Sequence, residues 1–233
     1  MAGTITVKAA NKTDFRPVMR RMDWHLKNGG KAFFLDADRV LFDSDSANAT
    51  SMLMLMGEYG IRLPNMTLKK FLDACSGLSA REILLKLSPN LRREPGLLDA
   101  MILRLSEIAA GNVGMITKTE LSDEYLPEVR HKASWVKLVI MTNRKKAPIK
   151  AALDHLEIRE LFDHVFYQSS RMPPKPWFNM FEWGVKETGL QRFEILFIDD
   201  NWKCIKAAME FGLPSKRVMW KADGSSYSIG ELF

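Results

Sequence analysis

The 233-residue chain is 46% hydrophobic and 27% charged, ordinary values for a globular protein able to bury a sizeable core. Its longest apolar stretches, such as residues 52–56 and 138–141, are too short to cross a bilayer, and its start lacks the apolar core of a secretory signal. Two cysteines, Cys75 and Cys204, are too few for a disulfide framework and point to a reducing cytoplasm.

The net charge of +6 is unevenly placed. Residues 1–31 hold seven Lys/Arg and two Asp, which leaves 27 basic and 26 acidic groups for the rest. The basic excess therefore belongs to an N-terminal extension. A nearly neutral body argues against a nucleic-acid partner. Within the extension Phe15, Val18, Met19, Met22 and Leu26 are spaced as one face of a helix. That face predicts packing against the core with a solvated basic side; the competing reading is a docking element for an anionic surface.

Residues 32–35 form a short apolar run ending at Asp36 and read as a buried strand. Residues 44–125 follow with no convincing strand; helical patterns occupy 47–59, 67–75, 80–87 and 96–110. Strands are predicted again at 136–141, ending at Thr142, and at 195–198, ending at Asp199, with weaker candidates at 164–167 and 217–220. Helices are predicted at 146–156, 176–187 and 202–211, the last two closed by Gly189 and Gly212. Alternation of this kind predicts an α/β fold with a parallel sheet. The predicted organisation is a basic extension (1–31), a core (32–43 and 126–233) and a helical insertion (44–125).

Ligands of open parallel sheets bind beyond the carboxyl ends of the strands, and Asp36, Thr142 and Asp199 converge there. Asp36 and Asp38 lie two residues apart after the first strand. One carboxylate can attack phosphorus while the other shuttles a proton. Asp199 and Asp200 add two more acids, and four carboxylates at close range need a cation. An all-oxygen set suits Mg²⁺. Thr142 and Asn143 offer a hydroxyl and an amide to phosphate oxygens. Lys175, between Pro174 and Pro176, offers a rigidly placed ammonium. His25, His131, His155 and His164 show no metal-ligand spacing, and Cys204 has no partner for chemistry.

Together these stretches resemble the four motifs of haloacid-dehalogenase-superfamily phosphatases. FLDADRVLFDS at 34–44 is similar to the first, VIMTN at 139–143 to the second, MPPKPWF at 172–178 to the third and ILFIDDNWKCIKAA at 195–208 to the fourth. AALDHLEIRELFD at 151–163 resembles the family's linking segment. The spacings agree too: 106 residues from Asp36 to Thr142, 33 to Lys175 and 24 to Asp199. The nearest subgroup is the phosphoglycolate phosphatase and β-phosphoglucomutase-like one. The resemblance implies a Rossmann-like core with a helical cap inserted after the first strand. It implies Asp36 as nucleophile and Asp38 as general acid/base. Thr142, Asn143 and Lys175 would then hold phosphate. Mg²⁺ would be held by Asp36, the Asp38 carbonyl, Asp199 and Asp200. In the cap, SGLSAR at 76–81 resembles a substrate-facing turn, which makes Arg81 a candidate substrate contact.

Two departures stand out. Arg39 replaces the usual Gly, which implies either a distorted nucleophile loop or an added cation. Trp202 stands in the fourth motif, where it would crowd the metal or wall the site. The leading expectation is a Mg²⁺-dependent phosphatase of a small phosphorylated metabolite, cytoplasmic, a monomer or weak dimer. The alternatives are a sugar-phosphate mutase and a non-catalytic binding module. Mutase-like members carry a His ten residues beyond the second Asp, where this chain has Asn48, which cannot shuttle a proton. Dehalogenases and phosphonatases lack an acid at the place of Asp38.

Overall fold

The structure, a computed structural model, describes residues 13–61, 71 and 78–220. The helix predicted at 67–75, apart from Phe71, and the first two residues of the turn at 76–81 lie outside them, Cys75 included. Among the described residues the strands in chain order are β1 (Ala32–Leu35), β2 (Phe42–Asp43), β3 (Thr117–Lys118), β4 (Lys137–Thr142), β5 (His164–Tyr167), β6 (Ile195–Asp199) and β7 (Ser215–Arg217). The helices of two turns or more are α1 (Arg16–Lys27), α2 (Asp45–Glu58), α3 (Ala80–Leu87), α4 (Pro95–Gly111), α5 (Leu126–Lys132), α6 (Lys146–His155), α7 (Asn179–Thr188) and α8 (Trp202–Glu210).

Five strands form one parallel sheet in the order β5-β4-β1-β6-β7. The chain builds outward from β1 through β4 and β5, then returns to the other side of β1 for β6 and β7. The carboxyl end of β1 therefore stands where the strand order reverses, the crevice of such sheets. β1 and β6 are buried at every residue, which is why they read as unbroken apolar runs. Alternate side chains still divide between the two faces. Phe33, Leu35, Leu138 and Ile140 pack with Ile149 and Leu153 of α6 and with Phe15, Val18 and Met22 at the N-terminal helix. Phe34, Val139 and Phe197 pack with Phe181 of α7 and Ile205 of α8. α7 approaches the sheet closely at Gly184: a Cβ there would lie 2.1 Å from the Met141 Cε and 2.7 Å from the Phe34 Cε2.

The basic extension is a core element over α1. Phe15, Val18 and Met22 are almost wholly buried. The His25 ring sits 3.1 Å from the Glu194 carbonyl oxygen, and the Tyr125 hydroxyl donates to Asp23 at 2.5 Å. Of its described basic residues Arg16, Arg20 and Lys27 are exposed and Arg21 is half-buried, as the helix-face reading requires.

Residues of α2, α3 and α4 close a separate apolar cluster, with Met52, Leu55, Leu84, Leu98 and Met101 at its centre. The chain enters this helical region through β2 and leaves it through β3. These two strands pair antiparallel, Phe42 with Lys118 and Asp43 with Thr117. Strands of two residues carry no alternation, so the sequence offers no sign of them. Two other boundaries moved. α7 begins at Asn179 rather than 176, because Trp177 N–H closes a turn on the Pro174 carbonyl at 3.1 Å. β7 is Ser215–Arg217 rather than 217–220; its polar residues lie at the sheet edge, where charge is common and apolar patterning absent.

Candidate active site

Asp36 follows β1 directly, and its N–H donates to the Ile198 carbonyl at 2.9 Å, which locks the loop to β6. Its carboxylate receives the Lys175 ammonium at 2.7 Å; the same ammonium reaches the Asp199 carboxylate at 2.6 Å. Lys175 and Asp199 are nearly inaccessible, and Asp36 is 8% exposed. Burial pushes Asp36 up to about 7; Lys175 opposes the rise, while Asp199 and Asp38 add to it. Burial also raises Asp199, against the pull of Lys175. Asp200 is pushed up to about 6 by burial and by Asp36, with Arg39 opposing. For Lys175, burial favours the neutral amine, but Asp199 and Asp36 outweigh it and the ammonium is strongly retained.

Three of the four sequence-predicted acids, Asp36, Asp199 and Asp200, are thus brought together. Oxygens of Asp36, Asp199 and Asp200 lie within 4.8 Å of one another. Three carboxylates at that spacing, all raised by burial and by one another, match the hard-oxygen donor set of Mg²⁺.

Asp38 faces a different environment. Burial works to raise it, but Arg144 beside it, with hydrogen bonds from Arg144, Ser44 and Asn48, holds its carboxyl below the usual range. Arg144 binds it as a fork: Nε lies 2.9 Å from Oδ2 and Nη2 2.6 Å from Oδ1. The same Nη2 donates to the Asn48 Oδ1 at 2.8 Å, and the Ser44 hydroxyl donates to Asp38. Arg144 was not singled out in the sequence, although it follows the Thr142-Asn143 pair immediately.

Thr142 ends β4 fully buried, and its hydroxyl accepts the Arg144 N–H at 3.1 Å. The Asn143 amide is engaged on the backbone of Lys175: Oδ1 accepts the Lys175 N–H at 2.7 Å and Nδ2 donates to its carbonyl at 2.9 Å. Asn143 therefore holds the lysine loop against β4. Arg39 adopts φ 60°, the left-handed region that Gly enters freely and other residues at a cost of roughly 1–2 kcal/mol. Its guanidinium anchors to Asp45 at 2.8 Å and reaches Asp200 at 3.4 Å, so the added cation lies beside the acidic cluster. Asp45 also accepts from the Trp220 indole at 3.1 Å.

The acids open into a cleft of about 680 Å³ between the sheet edge and the helices of residues 44–111. Arg81 does not line it: its guanidinium is half exposed and pairs with Asp99 on α4. Trp202 does not wall it either; the ring is 54% exposed, whereas its neighbours Asn201, Lys203 and Cys204 do line the cleft. Cys204 is a buried free thiol, pushed up by burial, as expected of a packed residue.

The model of the haloacid dehalogenase-like hydrolase family matches residues 33–218. No curated protein sequence matches the chain. Among solved structures, a HAD-superfamily hydrolase of subfamily IA from Geobacter sulfurreducens superposes with a TM-score of 0.62 at 23% identity, over 83% of this chain and 90% of that one. CbbY from Rhodobacter sphaeroides, in complex with phosphate, gives 0.66 at 14% identity, over 79% and 84%. YfnB from Bacillus subtilis, bound to magnesium, gives 0.62 at 16% identity, over 80% and 85%. At these identities the likeness speaks for the fold.

Proposed function

The chain belongs to the haloacid dehalogenase-like hydrolase family, and on that premise we propose that it is a Mg²⁺-dependent phosphatase of a small phosphomonoester, working through an aspartyl-phosphate. One observation carries the reading: the Asp36 carboxylate stands at the end of β1 with the Lys175 ammonium 2.7 Å away and a second, independently held carboxylate, Asp38, two residues on. In the first step an Asp36 oxygen attacks phosphorus. The ester P–O bond breaks, and the leaving oxygen takes a proton from Asp38. In the second, water gives a proton to Asp38 and its oxygen attacks phosphorus. The bond to Asp36 then breaks and inorganic phosphate leaves. The Arg144 fork favours the ionised form of Asp38, the form that accepts the proton from water.

Lys175 and the Thr142 hydroxyl are the proposed phosphate contacts, and Asn143 acts by fixing the Lys175 backbone. The Asp36, Asp199 and Asp200 carboxylates, with the Asp38 carbonyl, would hold Mg²⁺; when bound, the ion offsets negative charge on the nucleophile and the phosphoryl oxygens. Residues 44–125 serve as the cap of the 32–43 and 126–233 core, opening to exchange product for substrate. Asn48 in place of a proton-shuttling His favours hydrolysis over mutase chemistry, since nothing at that position hands a proton to a returning sugar hydroxyl. No described helix is long and apolar enough to cross a membrane; the proposed enzyme is cytoplasmic and a monomer or weak dimer. The test is release of phosphate from an aryl phosphate with Mg²⁺ and with chelator. Asp36→Asn should abolish turnover, and full activity in that variant would sink the assignment.

A further inference from the structure

The cleft has two chemically distinct ends. Toward the sheet it presents the acids, Lys175 and Arg144; among the described residues of the other side its apolar lining includes Met52, Phe71, Ile83, Ile102 and Leu105. We propose that the substrate is a phosphomonoester of an uncharged alcohol with an apolar body, an alkyl or aryl alcohol, seated against Met52, Ile83, Ile102 and Leu105. The inference rests on the phosphatase reading above and names its substrate class.

Three serines among the described cleft residues of the cap side support it. The Ser51 hydroxyl donates to the Ala47 carbonyl at 2.7 Å, and the Ser106 hydroxyl to the Ile102 carbonyl at 3.0 Å. Both are turned onto their own helices. The Ser79 hydroxyl accepts the Glu82 N–H within its helix cap. Where it met Met52, Ile83, Ile102 and Leu105, a sugar would leave hydroxyls facing apolar side chains, and an unpaired buried hydroxyl is costly.

A second anionic group fares no better. Among the described cleft residues, the ionisable side chains on α2 and α3 are the carboxylates Asp45 and Glu82. Three cations on the core side already face carboxylates: Lys175 lies between Asp36 and Asp199, Arg144 forks onto Asp38, and Arg39 bridges Asp45 and Asp200. The remaining two, Lys145 and Lys203, belong to core segments rather than to the cap wall. Cleft size suits one phosphoryl group and a body of several carbons.

The experiment compares kcat/KM for phosphate release across n-alkyl phosphates from propyl to octyl, phenyl phosphate, glycerol 3-phosphate and phosphoglycolate. Acetyl phosphate, which has almost no leaving-group body, reports on the chemistry alone. The expected result is a rise of about fourfold per added methylene until the cleft is filled, with hexyl and phenyl phosphate far above the two polar esters. Leu105→Asp should lower the hexyl-to-acetyl ratio at least tenfold. Binding of hexylphosphonate against methylphosphonate, followed by calorimetry on the unaltered protein, reads the same wall without turnover. Hydrolysis of acetyl phosphate with a flat or falling alkyl series, or equal binding of the two phosphonates, overturns the apolar-alcohol assignment and leaves the phosphatase standing. Tighter binding of hexylphosphonate with no hydrolysis of any of the esters or of acetyl phosphate overturns the phosphatase reading instead.

Discussion

Replacing Lys175 with Met puts the central ion cluster to a quantitative test. The ammonium is 4% exposed and lies 2.7 Å from Asp36 and 2.6 Å from Asp199. Without it, two buried carboxylates face each other uncompensated. Removing one partner from a buried ionic group costs about 3–5 kcal/mol. In a chain of this size 1 kcal/mol corresponds to roughly 2–4 °C in Tm, so the loss in chelator should be about 6–20 °C. The deficit should also depend on pH. Asp36 is already raised to about 7 with Lys175 in place, and without it Asp36 and Asp199 rise further. A carboxyl whose folded pKa exceeds its unfolded one stabilises most at low pH, and that stabilisation is lost as pH climbs through the folded value. The Lys175→Met deficit should therefore be small near pH 5 and large near pH 8. Millimolar Mg²⁺ should recover part of it at pH 8, by about 2.7 kcal/mol at a hundred times Kd. Thermal melts followed by circular dichroism at both pH values, with and without chelator, measure all of this. Equal melting of variant and parent at pH 8 in chelator would refute the buried-cluster argument.

Arg144→Met should raise the Asp38 pKa and shift the basic limb of the kcat/KM profile, where the acid of the first step loses its proton, to higher pH; an unmoved limb refutes the electrostatic role of the fork. Removing residues 1–27 takes Phe15, Val18 and Met22 from the core. At roughly 1.5–3 kcal/mol each, their loss rivals the whole stability of a typical domain of about 5–15 kcal/mol. The truncated chain should show no cooperative melt, and a transition within a few degrees of the full chain would contradict the packing. Gly184→Ala forces a methyl onto Met141 and Phe34 and should cost about 1–3 kcal/mol by urea unfolding. Burial holds His25 below its ordinary 6.5. Folding should therefore weaken as pH falls below about 6.5, and His25→Gln should flatten that slope in urea titrations.

The sheet and the acids were legible because each rests on local sequence. Residues 32–35 and 195–198 are apolar runs ending in acids, and both are buried central strands of the sheet. Lys175 stood out by its flanking prolines, and it does reach the cluster. What escaped depends on distant pairings. Arg144 earns its place only through Asp38, 106 residues away, and nothing in its own neighbourhood marks that partner. Asn143 looked like a phosphate ligand because its amide follows a strand, yet Lys175, 32 residues on, occupies both its polar atoms. Arg81 and Trp202 depended on side-chain direction, which spacing along a helix start does not determine. Arg39 was recognised as misplaced, but its remedy, a salt bridge to Asp45 on the next helix, needed the fold.

The β2–β3 pair makes the helical region interchangeable in principle. Because Asp43 and Thr117 lie opposite each other in the β2–β3 pair, everything from 44 to 116 is a loop whose ends are already fixed at one spot. The entropy of holding such ends together grows only with the logarithm of loop length, about 0.6 kcal/mol per doubling. A shorter or longer set of helices could hang from the same two strands at little cost to the sheet. The strand ends that carry Asp36, Thr142 and Asp199 would keep their positions, and variation in the hanging segment would fall on whatever the alcohol side of the ester touches. Chemistry and selectivity are thereby placed on parts of the chain free to change at different rates.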